Sequence, residues 1–173
     1  MLTIDCGLCI LRPWRARDLE SLVRHANSHN VWLTVRDRFP HPYTREAGRA
    51  WLESVLPEDP PTTLAIDVDG EAVGGVGLLP GKDVNAHTGE LGYWLGEAYW
   101  GRGITTAAVR GFIPWAASTF SLRRFFAEIF ESNPASMRVL EKCGFVKEGV
   151  LRQHARKEGR YLDEVVYGLL LDS

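Results

Sequence analysis

Gly89-Glu90-Leu91-Gly92-Tyr93-Trp94-Leu95 and, three residues on, Tyr99-Trp100-Gly101-Arg102-Gly103-Ile104-Thr105-Thr106 form the stretch on which the fold turns. The first block, extended to Thr88, is short and rich in aromatic residues and predicts a strand over Thr88 to Leu95. The second predicts a helix from Ile104 to about Phe120. Ala107, Ala108, Gly111, Phe112, Trp115 and Ala116 recur there at i, i+3 and i+4 as a core face, with Pro114 expected to bend it. Glycines before a helix let the backbone approach a ligand, and the unpaired amides of the first turn, aided by the helix dipole, make an anion site that a pyrophosphate would fit. The same glycines also suit a plain tight strand-to-helix turn. GxGxxG and the P-loop pattern are both absent and no Lys-Ser or Lys-Thr follows, which removes support for dinucleotide binding and for nucleoside triphosphate hydrolysis.

Working outward, a strand is expected at Leu8 to Leu11 and a helix from Arg15 to Asn27, with Leu19, Leu22, Val23 and Ala26 at helical spacing. Thr44 suits the N-cap of a second helix bearing Ala47, Ala50, Trp51 and Val55, which Pro57, Pro60 and Pro61 end. Thr63 to Asp67 and Glu71 to Leu79 read as a hairpin around Val68-Asp69-Gly70, because Asp-Gly supplies the positive φ of a tight turn. Beyond the long helix come a strand at Arg124 to Phe130 and a helix from Pro134 to Cys143 stopped by Gly144. Two last strands, Val146 to His154 and Tyr161 to Leu171, flank Lys157-Glu158-Gly159.

One domain over residues 1–173 is expected, with 45% hydrophobic and 24% charged residues. A net charge of -2 gives no pull toward nucleic acid or an acidic membrane, and the tryptophans at 94, 100 and 115 have no basic stripe beside them. Cys6, Cys9 and Cys143 make neither a disulfide framework nor a zinc pattern. No signal-like segment and no apolar run of roughly 20 residues is present, so a cytoplasmic protein is expected.

The two quoted blocks, together with Glu131-Ser132-Asn133-Pro134-Ala135-Ser136-Met137-Arg138-Val139-Leu140-Glu141-Lys142-Cys143-Gly144-Phe145, resemble the GNAT acetyltransferase superfamily, in its branch of ribosomal-protein N-terminal acetyltransferases. Leu11-Arg12-Pro13 with Asp18, and Gly159-Arg160-Tyr161-Leu162-Asp163, extend the likeness over almost the whole chain. The resemblance implies a mixed α/β (α+β) fold. Its central sheet would be mixed but mostly antiparallel, with about six to seven strands and a splayed central pair, flanked by about four helices.

It also implies a reaction, transfer of an acetyl group from acetyl-coenzyme A to a primary amine, with no metal. Leu95 and Trp100, Gly101, Arg102, Gly103, Ile104 and Thr105 would hold the coenzyme, its pyrophosphate on the loop amides; Trp100 and Thr105 depart from the family's usual residues there. The pantetheine arm would pair with strand edges at Gly89 to Leu95 and Arg124 to Phe130, with Asn133 as its partner, and Asn133 equally suits an N-cap before Pro134. Arg138 and Lys142 would meet the 3′-phosphate or form a solvated helix face. Ser136 would protonate the leaving thiolate or cap the first turn. Glu90, on one strand face with Gly92 and Trp94, would be the general base or an acid paired with a neighbour. On the acceptor side stand Trp32, Arg36, Arg38, Phe39, His41 and Tyr43, and from the last strands His154 and Asp163, either of which would orient the amine or relay a proton. The expected partners are acetyl-coenzyme A and an amine acceptor, with no nucleic acid or membrane, in a monomer or homodimer. A non-catalytic acyl-coenzyme A sensor and a transferase of longer acyl groups are the competing readings.

Overall fold

A computed structural model describes residues 2–171. Among them are eight strands and five α-helices. In chain order these are β1 (Ile4–Asp5), β2 (Ile10–Pro13), α1 (Leu19–Ala26), α2 (His29–Trp32), α3 (Arg45–Val55), β3 (Thr63–Val68) and β4 (Glu71–Pro80), then β5 (Thr88–Leu95), α4 (Ile104–Phe120), β6 (Arg124–Phe130), α5 (Pro134–Lys142), β7 (Val146–Lys157) and β8 (Arg160–Leu170). The strand order is β1-β2-β3-β4-β5-β6-β8-β7. Every pairing described is antiparallel except β5 with β6. The expected six to seven strands become eight because a two-residue β1 pairs with β2, and the expected four helices become five through the single-turn α2. No helix among the described residues is long and apolar enough to cross a membrane.

The chain forms two compact units. The first comprises Met1–Leu78 and Tyr93–Trp115. Its core holds Trp14, Leu22, Ala26, Tyr43, Leu52, Ala65 and Ala72, with Phe39, Trp51 and Trp94 packed against them. The apolar stripes of α1 and α3 supply much of it, which is why their spacing was readable. Thr44 caps α3 through its side-chain oxygen, which accepts the Ala47 amide at 3.1 Å, and Asp69 and Gly70 turn the β3–β4 hairpin at φ 54° and 88°. A buried ion-pair cluster ties three segments together. Arg12 on β2 donates to Asp67 on β3 at 2.7 Å and to both carboxylate oxygens of Asp18, before α1, at 2.8 and 2.9 Å. Burial opposes that guanidinium's charge, but the hydrogen bonds to Asp18 and Asp67 outweigh it and hold its pKa above the ordinary value.

The second unit comprises Leu79–Gly92 and Ala116–Ser173. β6 pairs with β8 along its whole length, from Arg124–Leu170 to Phe130–Glu164, and β8 pairs with β7. Phe125 and Tyr167 are buried on one sheet face, and the Tyr167 hydroxyl donates to Glu141 of α5 at 2.9 Å, docking that helix there.

Candidate active site

In the first unit, the loop between β5 and α4 is shaped by two left-handed residues, Gly101 at φ 72° and Gly103 at φ 77°. A Cβ on Gly101 would meet nothing within 4 Å, and one on Gly103 only Leu8 at 3.5 Å. The conformation, not crowding, therefore calls for glycine at both places. The Gly103 carbonyl accepts the Ala107 amide at 3.0 Å, so the first-turn amides of Ile104, Thr105 and Thr106 precede the helical ladder. The remaining side chains brace the loop from within. The Trp100 indole donates to the Leu95 carbonyl at 2.8 Å, and Arg102 donates to the Ala98 carbonyl at 2.9 Å and lies over the Tyr99 ring at 5.3 Å. Ile104 is buried as the helix's first core residue.

In the second unit, β5 and β6 begin as a parallel pair and part. Thr88, Glu90 and the intervening Gly89 stand opposite Arg124, Phe126 and Phe125. The ladder ends at Glu90–Phe126 although both strands run on. Glu90, half-buried, marks the crotch of this fork. Asn133 caps α5, its side-chain oxygen accepting the Ser136 amide at 3.3 Å, and Pro134 occupies the first turn. Ser136 is buried in that turn, while Arg138 and Lys142 are exposed.

The expected acceptor residues divide. In the first unit Trp32 stacks with His29 and His41 at centroid distances of 5.7 and 5.8 Å, and Arg36 is exposed. Tyr43 lies instead in the core, 4% exposed, against Phe39, and burial pushes its hydroxyl pKa up to about 12; a side chain so enclosed contacts the protein rather than a substrate. In the second unit His154 is exposed and its Nδ1 lies 2.5 Å from Glu164. Asp163 accepts the Gln153 amide at 2.7 Å, and its own amide donates to Glu131 at 3.0 Å. Sequence reading passed over Glu128 and Glu164, each of which brings a carboxylate oxygen within 4.8 Å of one His154 ring nitrogen.

Residues 9–146 match the family described as the acetyltransferase (GNAT) domain. The chain belongs to the GNAT acetyltransferase family. A phosphinothricin N-acetyltransferase of Streptomyces coelicolor is 32% identical over 162 residues, 91% of this chain and 93% of that protein. A ribosomal-protein-serine acetyltransferase of Escherichia coli is 37% identical over 86 residues, 50% of this chain and 48% of its own length. Several of the most similar curated relatives match in this way, over about half of their length. Among solved structures, a ribosomal-protein alpha-N acetyltransferase in complex with coenzyme A superposes with a TM-score of 0.86 at 21% identity, covering 99% of each chain, a likeness of fold.

The loop before α4 has the geometry of an anion site. Its two left-handed glycines leave the backbone bare at positions 101 and 103, and the amides of a 17-residue helix's first turn open from it. The charge on Arg102 adds to the positive end of the helix, although its hydrogen bond runs to Ala98. In the second unit the GNAT fork leaves the β6 edge from Ala127 to Phe130 beyond the β5 ladder, as a strand edge on which an amide-bearing arm can pair.

Proposed function

We propose that this protein acts as one GNAT domain over residues 1–173 and transfers an acetyl group from acetyl-coenzyme A to a primary amine, a protein N-terminus or a small-molecule amine, by direct attack on the thioester. The observation that carries this reading is the loop shaped by left-handed Gly101 and Gly103 running into the first turn of α4, a cradle for pyrophosphate. In this proposal the loop from Trp100 to Thr105 and Leu95 hold the coenzyme, Asn133 meets its pantetheine arm, and Arg138 and Lys142 meet its 3′-phosphate. Trp32, Arg36 and His154 face the acceptor. Glu90 takes a proton from the attacking nitrogen, and Ser136, buried beside the α5 N-cap, gives one to the departing sulfur. Such assistance is worth about a hundred- to ten-thousandfold in rate. No metal is required. Cys6, Cys9 and Cys143, none of them in a disulfide, suit a reducing cytoplasm, and a near-neutral net charge offers nothing to nucleic acid or membrane. The protein would work as a monomer or homodimer.

The test is thiol release from acetyl-coenzyme A with a panel of amines and N-terminal peptides. Turnover is expected with at least one acceptor, and Glu90→Gln and Ser136→Ala should each lower kcat by about a hundredfold with coenzyme affinity retained. Tight coenzyme binding without turnover on any amine, even at alkaline pH, would favour the sensor. Turnover only with longer acyl thioesters would replace the donor.

A further inference from the structure

We infer that Glu128, His154 and Glu164 form the station where the acceptor arrives as an ammonium ion and loses its first proton. His154 is the base, Glu164 positions its ring, and Glu128 attracts the cation. This rests on the acetyltransferase reading and names the acceptor's charge state.

Register puts the carboxylates together. Glu90 stands opposite Phe126, and Glu128 lies two residues further along β6 on the same face. Glu128 is opposite Val166, so Glu164, two residues earlier on β8, shares that face too. The imidazole reaches them through a bulge. β7 pairs Leu151 with Glu164 and resumes only at Ala155 with Leu162, so that residues 152–154 arch out of the ladder around Gln153, at φ 51°. The ligating atoms of Glu128, His154 and Glu164 all lie within 4.8 Å of one another. His154 and Glu164 both lie beyond the span that matches the GNAT family.

The chemistry of the pair assigns the roles. A carboxylate only accepts, so the 2.5 Å contact between His154 Nδ1 and Glu164 Oε2 puts the ring proton on Nδ1 and the basic lone pair on Nε2. The Glu164 side chain is 5% exposed and the imidazole 56% exposed, a buried orienting carboxylate behind a base that solvent and substrate reach. Two donors bound to one tetrahedral zinc would stand about 3.3 Å apart, given bonds of about 2.0 Å, so the pair as it stands shares a proton rather than a metal. Glu128 from β6 and Glu164 from β8 face the ring. Asp163 holds the bulge through the Gln153 amide, and Arg152, Arg156 and Lys157 are the other charged residues of that end of β7.

The protons balance. The acceptor ammonium gives one proton to His154 Nε2, which passes it to solvent. The neutral amine then forms its bond to the thioester carbonyl carbon. Glu90 takes the second proton from the nitrogen of the tetrahedral intermediate, the carbon–sulfur bond breaks, and Ser136 protonates the sulfur and is itself reprotonated from Glu90. Ammonium and acetyl thioester become amide, thiol and one released proton.

The experiment is the pH profile of kcat/KM for wild type, His154→Gln, Glu164→Gln and Glu90→Gln with a primary amine, alongside direct binding of acetyl-coenzyme A. For the wild type an acid limb set by protonation of the His154 ring is expected. His154→Gln should lose about a hundredfold at pH 7 and rise with pH instead, approaching wild type where the amine is already neutral. Glu164→Gln should lose at least tenfold and shift the acid limb to lower pH, since the imidazolium loses its anionic partner. Glu90→Gln should keep the limb, and coenzyme affinity should hold throughout. His154→Gln within threefold of wild type with the acid limb intact overturns the inference while leaving the acetyltransferase standing. Loss of activity to a chelator and its return with zinc overturns it in favour of a metal. A wild type that turns over no amine removes the acetyltransferase reading and this with it.

Discussion

At the scale of single residues, burial decides which polar groups respond to pH. The Tyr43 hydroxyl, raised to about 12 in the folded core, titrates near 10 in the unfolded chain. The unfolded chain thus releases that proton first as pH climbs. The stabilisation is fully present below pH 10 and is lost between pH 10 and 12, with a slope of up to about 1.4 kcal/mol per pH unit. Urea titrations at pH 8, 10 and 11.5 should show Tyr43→Phe falling less steeply than wild type; the difference isolates this hydroxyl from Tyr167, also raised, by burial and by its bond to Glu141. Equal slopes would mean that Tyr43 ionises without leaving the core. The same residue shows what the sequence leaves hidden. An aromatic between His41-Pro42 and Thr44 reads alike as substrate contact or as core, because only the packing of α1 and α3 around it decides. The place of Glu90 on β5 was legible because strand alternation needs no distant partner. The partnership of His154 with Glu164 was not, because an irregular bulge breaks the alternation that would have aligned them.

At the scale of elements, regular periodicity and turn chemistry were enough for most of the fold. β5, α4 and β6 fall where the apolar pattern puts them, and the Asp69-Gly70 and Glu158-Gly159 turns adopt positive φ, which their glycines allow without strain. β1 and α2 were missed, being too short for any period to show, and β7 runs three residues past the expected His154 because it resumes after its bulge. The loop before α4 gives a prediction of its own. Gly103→Ala puts a Cβ into a left-handed conformation that costs an L-residue about 1–2 kcal/mol, while no atom lies closer than Leu8 at 3.5 Å. The loop should relax rather than the helix unfold. Calorimetric titration is expected to show acetyl-coenzyme A binding weakened by about tenfold or more with circular dichroism unchanged, and unchanged affinity would separate the loop from coenzyme binding.

At the scale of the whole molecule, the Arg12 cluster is a long-range constraint, for it links β2, the turn before α1 and β3 in one buried network. Arg12→Met would leave two acidic side chains buried against each other's surroundings without their cation, a change that costs about 3–5 kcal/mol. Against a total stability of about 5–15 kcal/mol for an ordinary domain, that is enough to lower the urea midpoint severely. Arg45→Ala is the contrasting case. It breaks an ion pair with Glu20 whose side chains are 60% and 63% exposed, and it should change stability by less than about 1 kcal/mol. Nor should apolar replacement of the whole cluster restore the wild-type value, as it often does elsewhere. Asp67 also accepts the Gly70 amide at 2.8 Å, and Asp18 the Arg15 amide at 2.8 Å, so the two carboxylates hold the β3–β4 turn and the entry to α1 as well as the arginine. Urea unfolding of Arg12→Met and of Arg12→Met with Asp18→Leu and Asp67→Leu settles the order. If the triple variant recovers wild-type stability, the carboxylates serve only the ion pair; if it stays well below, the turns depend on them and the cluster is a folding constraint no apolar core could replace.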